Sequence, residues 1–263
     1  MRLIAFSRAP ALVAAEERGL FAKEGLRVEF SRASSSTAQL NALIAGEYDV
    51  AHSAADNVIA RVDAGADLRV VLVVDRGVDH RLIGGRDTRA LRDVDGRVLG
   101  VDSPQTGHAL MAYLILTEAG VARGRYRTLA VGGTPERYAA LLDGRVDAAL
   151  LSPPHDERAV GSGCHVLADT ATRFADLPGL SVAVRRDWAE AHRDELVRYC
   201  RALLRGARLA HDARPLTTSV AEMAKTIDAA CALRRATGMA SGKIDVARYF
   251  DPSFARAADP SLA

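Results

Sequence analysis

Apolar residues fall along this chain in short runs, separated by longer stretches where they recur every three or four positions. The run Arg2–Phe6 reads as a strand of the fully buried type. Ser7-Arg8-Ala9 reads as a turn, and Pro10 stands where the first turn of a helix tolerates proline. That helix is expected to reach about Arg18 and to stop at Gly19. Leu26–Phe30 alternates as a second strand. Ser34-Ser35-Ser36-Thr37 then offers N-cap hydroxyls to a helix whose Leu40, Leu43 and Ile44 keep helical spacing. Tyr48–Ser53 predicts a third strand, Asp56–Val62 a helix and Val70–Val74 a fourth strand. The order β-α-β-α-β-α-β implies a mostly parallel sheet with helices on both faces.

The second half of the chain follows the same plan. Arg97–Val101 is a strand, Asp102–Thr106 a turn, and Gly107–Ala119 a helix stopped by Gly120. Arg127–Val131 is the next strand. Thr134 is the expected N-cap of the following helix, with Pro135 at its first position. Val146–Leu151 is a strand ending at Ser152-Pro153-Pro154. The likeness is literal in one place: Ala42–Ala51 recurs as Ala140–Ala149, with Ala, Leu, Gly, Asp and Ala at identical offsets, 98 positions on. Solenoid periods run about 20–50 residues, so the repeat implies two similar α/β lobes, each a mostly parallel sheet flanked by helices. Matched Gly and Asp offsets demand matched turns, which puts Asp49 and Asp147 at equivalent strand starts. Asp75–His80 is polar and Arg81–Asp87 extended, a first crossing between lobes, and the strand Leu180–Val184 carries the chain back. Lobe one is thus expected to comprise 1–78 and 182–263, and lobe two 79–181. Helices are expected over Asp187–His211, with Trp188 packing in the core at its start, and over Thr217–Thr237. A short element near Val246–Phe250 precedes a loosely ordered tail marked by Asp251-Pro252 and Asp259-Pro260.

Length and composition agree with this division. The 263 residues suffice for two lobes of roughly 100–150 residues. A net charge of +2, with arginines scattered rather than striped, gives no nucleic-acid surface. Cys164, Cys200 and Cys231 form no C-x-x-C pair and read as buried small apolar residues rather than disulfide or zinc ligands. No apolar run is long enough for a membrane span. Met1-Arg2 leads straight into the first strand. The expected location is therefore extracytoplasmic if a signal peptide was removed, or cytoplasmic if Met1 is the native start.

In open parallel sheets, ligands sit beyond the carboxyl ends of the strands, where helix starts present N–H groups. Here those ends carry Ser7 and Arg8, Ser35 and Ser36, Ser53 and Ala54, and Asp75 in lobe one. In lobe two they carry Pro104, Gln105, Thr106 and Gly107, then Ser152 and His155. The set is rich in hydroxyls and poor in aromatics, which favours a small polar or anionic ligand. Arg8 is placed to clamp an anion, although a surface arginine is the competing reading. Ser53 and Ser152 serve a ligand or merely cap helices. Thr106 is expected to cap the helix that follows, and Gly107 to let a ligand approach the backbone. His52, inside an apolar strand, reads as a core histidine. His155-Asp156 and Cys164-His165 are adjacent residues that do not face one group, and neither a G-x-S-x-G elbow nor an H-E-x-x-H is present. No catalytic, metal or cofactor role is assigned.

Four stretches taken together resemble a known family: "AEERGLFAKEGLRVEF", "ALIAGEYDVAHSAADNVIARVDAGADLRVV", "DVDGRVLGVDSPQTG" and "ALLDGRVDAALLSPP". They are similar to solute-binding proteins of the nitrate, alkanesulfonate and thiamine-pyrimidine-precursor group, over residues 2–210. The resemblance implies the type II periplasmic-binding fold and a monomer that closes like a hinge on a small ligand in an inter-lobe cleft and delivers it to an ABC importer permease. Related pyrimidine synthases need a lysine for pyridoxal phosphate and a histidine after the third strand. Ser53-Ala54-Ala55-Asp56-Asn57 carries neither, so that activity is set aside. A cytoplasmic enzyme of the same fold, of the decarboxylase or cofactor-biosynthesis type, is the alternative reading, and a ligand-sensing module a third.

Overall fold

The computed structural model describes residues 1–210, 214–240 and 243–262. Packing divides the chain into two units: Met1–Gly77, Asp176–Ala232 and Gly242–Ala263 form one, Val78–Ala175 and Leu233–Ser241 the other. The division differs from the expected one chiefly in that 233–241 goes with the second unit.

The first unit contains β1 (Arg2–Ala5), α1 (Pro10–Glu17), α2 (Leu20–Lys23), β2 (Glu29–Arg32), α3 (Ser36–Ile44), β3 (Val50–Ser53), α4 (Ala55–Asp63) and β4 (Leu68–Val73). The second contains β5 (Arg81–Gly84), β6 (Val98–Val101), α5 (Gly107–Glu118), β7 (Arg127–Ala130), α6 (Thr134–Leu142), β8 (Ala148–Leu151), α7 (His155–Gly161) and β9 (His165–Asp169). The chain then returns to the first unit through β10 (Ser181–Arg185), α8 (Arg186–Ala191), α9 (Arg193–Leu209), most of α10 (Val220–Ala236) and α11 (Ser253–Ala258).

The sheets run β2-β1-β3-β10-β4 and β7-β6-β8-β5-β9. In the first, β1 is parallel to β2 and β3, while β10 lies antiparallel between β3 and β4. In the second, β6 is parallel to β7 and β8, while β5 lies antiparallel between β8 and β9. The strand that enters each unit from the other part of the chain is thus the one inserted against the run of the sheet. Val50, Ala51, Leu68, Val70, Val71 and Leu72 are all fully buried, as expected for strands covered on both faces.

The repeat folds as a repeat. Gly46 and Gly144 both adopt left-handed backbone, φ 78° and 70°, which only glycine takes up without strain. The Asp49 carboxylate accepts from the Arg2 backbone N–H at 2.7 Å and the Arg2 guanidinium at 2.6 Å. Asp147 accepts from the Val98 N–H at 2.9 Å and from Arg97 at 3.4 Å. Each aspartate locks the start of its repeat strand, β3 or β8, to the neighbouring β1 or β6.

Several expectations change in detail. The second strand lies at Glu29–Arg32 rather than Leu26–Phe30, because Leu26 bonds back to Phe21 and stays with the α2 turn. Thr134 is the first residue of α6, with Gly133 at its N-cap. Trp188 belongs to α8, separate from the long helix, and stacks on His192 with ring centroids 4.8 Å apart. That helix, α9, ends at Leu209, and His211 lies outside the described residues. The tail is not loose. Phe250 pairs with Val70, and Phe254, Ala255 and Leu262 are buried, because the edge of β4 and the face of α9 are apolar surfaces that the tail covers.

Candidate functional site

In the first unit, Ser7 and Arg8 are exposed beyond β1. The Arg8 Nε donates to Glu16 at 3.1 Å, and its guanidinium lies 4.2 Å over the Phe30 ring. Ser35 caps α3 by accepting the Ala38 N–H, and Ser36 is buried beside it. Ser53 ends β3 with a buried hydroxyl that hydrogen-bonds to no group among the described residues, and Ala54 precedes α4 without a side-chain cap. Asp75 is buried and spoken for: it accepts the Leu180 N–H at 2.9 Å and pairs with Arg214 at 3.1 Å. His52, the expected core histidine, lies 2.7 Å from the Tyr199 hydroxyl, and burial drives its pKa down to about 3.

The second unit gathers more polar chemistry at the carboxyl ends of its strands. Thr106 holds the N-cap position of α5 but does not cap it. Its hydroxyl donates to the Asp102 carboxylate and the Ser103 carbonyl instead, and makes no capping bond to the helix N–H groups. The start of α5 therefore keeps backbone N–H groups that no Thr106 side chain occupies. Pro104 and Gln105 are exposed, and the Gln105 carbonyl accepts from Arg234 at 3.2 Å. Gly107 is buried.

Around this turn stand groups that the sequence reading passed over. Arg137, 2% exposed, donates to the carbonyls of Leu150 and Gly132 and to the Thr134 hydroxyl. Thr134 in turn lies 3.2 Å from the Ser152 hydroxyl. Burial lowers the Arg137 pKa, with Asp102 and Glu136 opposing the shift. Gln39 sits 98 residues earlier, at the matching place on α3, and donates to the His52 carbonyl at 2.9 Å. The repeat thus pins α3 to β3 and α6 to β8, with a neutral amide in one unit and a buried cation in the other. The offset was the available signal for Arg137. His80 and His108 approach with their Nε2 atoms 3.1 Å apart. They meet through tertiary structure, and nothing local in sequence pairs them. Burial lowers the His108 pKa, Asp102 pulling it up and Arg137 down. His155 opens α7 with its ring edge-on to Tyr138, and burial followed by Arg158 lowers its pKa.

The model of the NMT1-like family matches residues 3–228. No curated protein matches the sequence. Among solved structures, the chain is similar to the alkanesulfonate-binding protein of Xanthomonas axonopodis bound to MOPS, at 17% identity and TM-score 0.75, over 96% of this chain and 98% of that one. It is similar to the periplasmic nitrate-binding protein of Synechocystis at 15% identity and TM-score 0.67, over 94% and 68%. A conserved Candida albicans gene product described as having the generic periplasmic binding protein fold matches at 14% identity and TM-score 0.74, over 95% of each chain. These likenesses establish the fold, two lobes of the type II periplasmic-binding class.

Proposed function

The chain belongs to the NMT1-like family, and on that premise we infer that it is a solute-binding protein that takes a small polar or anionic organic molecule and passes it to the permease of an ABC importer. The observation that carries this reading is the start of α5. Twelve residues of helix begin there without a side-chain cap, beside a turn stiffened by Thr106 and Asp102. Such a terminus offers N–H donors and a partial positive charge to a carboxylate, sulfonate or nitrate. The sulfonate and nitrate ligands named for similar structures support the same charge class. Among the described residues no helix is long and apolar enough to cross a membrane. Within this reading Pro104, Gln105, Thr106 and Gly107 form the ligand turn, with Ser152 and His155 beside it. Ser7, Arg8, Ser35, Ser36, Ser53, Ala54 and Asp75 are the candidate ligand residues of the first unit. The protein works as a monomer.

A thermal-shift screen over sulfonates, carboxylates, nitrate and pyrimidines tests it. A true ligand at 100 times its dissociation constant stabilises by about 2.7 kcal/mol. Arg8→Ala is then expected to weaken binding by about 1.5–3 kcal/mol, the scale of a hydrogen bond to a charged group. A screen in which only cations stabilise the protein overturns the anion reading. Unchanged affinity in Arg8→Ala removes Arg8 from the site.

A further inference from the structure

His80 and His108 meet ring nitrogen to ring nitrogen. Their Nε2 atoms are 3.1 Å apart, their ring centroids 4.8 Å, and their planes cross at 62°. A near-linear N–H···N hydrogen bond lays the two ring axes along the N···N line, which holds the centroids roughly 5.4 Å apart. The shorter centroid distance tilts the ring axes off that line, as happens in a bent hydrogen bond or where both Nε2 atoms face a common point.

A metal ion provides such a point. With metal–imidazole bonds of about 2.0–2.1 Å, two nitrogens 3.1 Å apart subtend an angle of about 98° at the ion, between the square-planar or octahedral value and the tetrahedral one. Rings whose axes meet at that ion have centroids roughly 4.8 Å apart, which is the separation observed. We propose that His80 and His108 chelate a divalent first-row ion of the nickel, copper and zinc group through their Nε2 atoms, with the remaining positions open to water or an oxygen ligand.

Both residues stand on backbone that is fixed before any ion arrives. The His80 N–H donates to the Thr170 hydroxyl at 3.0 Å, and the Thr170 N–H donates back to the His80 carbonyl at 3.0 Å. Thr170 is fully buried. His108 is the second residue of α5, a helix buried along most of its length. The charges that act on His108 are Asp102, which favours a cation, and Arg137, which opposes one. No cluster of three or more His, Cys, Asp or Glu side chains stands ready for a metal among the described residues. The site is therefore an open two-histidine chelate rather than a closed structural one. Imidazole ligands suit copper, nickel and zinc, with copper held most tightly.

Calorimetric titration of the full chain with the chlorides of copper(II), nickel and zinc, in a non-chelating buffer, decides the matter. One ion per chain is expected, copper tightest, with His80→Asn and His108→Asn each weakening binding roughly tenfold or more. The double variant is expected to lose the site while keeping the wild-type circular dichroism. Binding in the double variant equal to wild type overturns the proposal, since the remaining histidines then account for it. Should a variant fail to fold, the copper(II) electron-spin spectrum of the wild type decides by itself. Two coordinated imidazole nitrogens support the chelate, and one or none overturns it.

Discussion

His52 illustrates at the residue scale how a buried titratable group ties stability to pH. It lies in the middle of the first sheet against Tyr199, and burial holds its pKa at about 3, well below the ordinary 6.5. The unfolded chain therefore binds a proton between those values that the folded chain refuses. The contribution of a depressed group is fully present above 6.5 and is lost as pH falls toward 3. Urea unfolding is expected to become steadily easier over that window. His52→Gln is expected to lower stability at pH 7 yet flatten the slope, and equal slopes for the two proteins would exclude His52 as its source. The sequence had marked His52 as a core histidine from its apolar neighbours. It had no means of supplying Tyr199, which lies 147 residues away.

At the scale of elements, α1 and α9 pack with little room to spare. A methyl group built on Gly206 would stand 2.3 Å from the Ala11 carbonyl oxygen and 2.8 Å from the Ala15 Cβ. Backbone and a short side chain cannot swing aside, so Gly206→Ala must push the helices apart. A loss of about 1–3 kcal/mol is expected, read as a lower urea midpoint at unchanged slope. A variant as stable as wild type would mean that the helices separate without cost. Helix existence was legible in the chain from spacing and glycine stops. The partner of each helix was not, because amphipathic patterning identifies the buried face and says nothing of what covers it.

For the whole molecule, the order of strands predicts which part folds alone. All five strands of the second sheet come from one continuous stretch, β5 to β9. The first sheet needs β10, which arrives after the second unit is complete and sits between β3 and β4. A fragment spanning 78–175 is therefore expected to fold cooperatively, while 1–77 leaves both β3 and β4 short of a partner and stays unfolded. Circular dichroism and amide-proton dispersion of the two fragments check this. A folded 1–77, or an unfolded 78–175, would contradict it.

The chain by itself determined the matters that local physics decides. Glycines at left-handed positions and aspartates at strand starts specify turns wherever they stand, so the repeat at Ala42–Ala51 and Ala140–Ala149 announced two like units and their α/β class. Tertiary structure alone decided where β5 and β10 insert and that the C-terminal tail seals the first unit. It alone turned Thr106 to Asp102 instead of the helix, buried Arg137 where its counterpart is Gln39, and brought His80 to His108. Each of these depends on groups distant in sequence meeting at one place. Burial then sets the strength of their interactions, and no local pattern encodes that meeting.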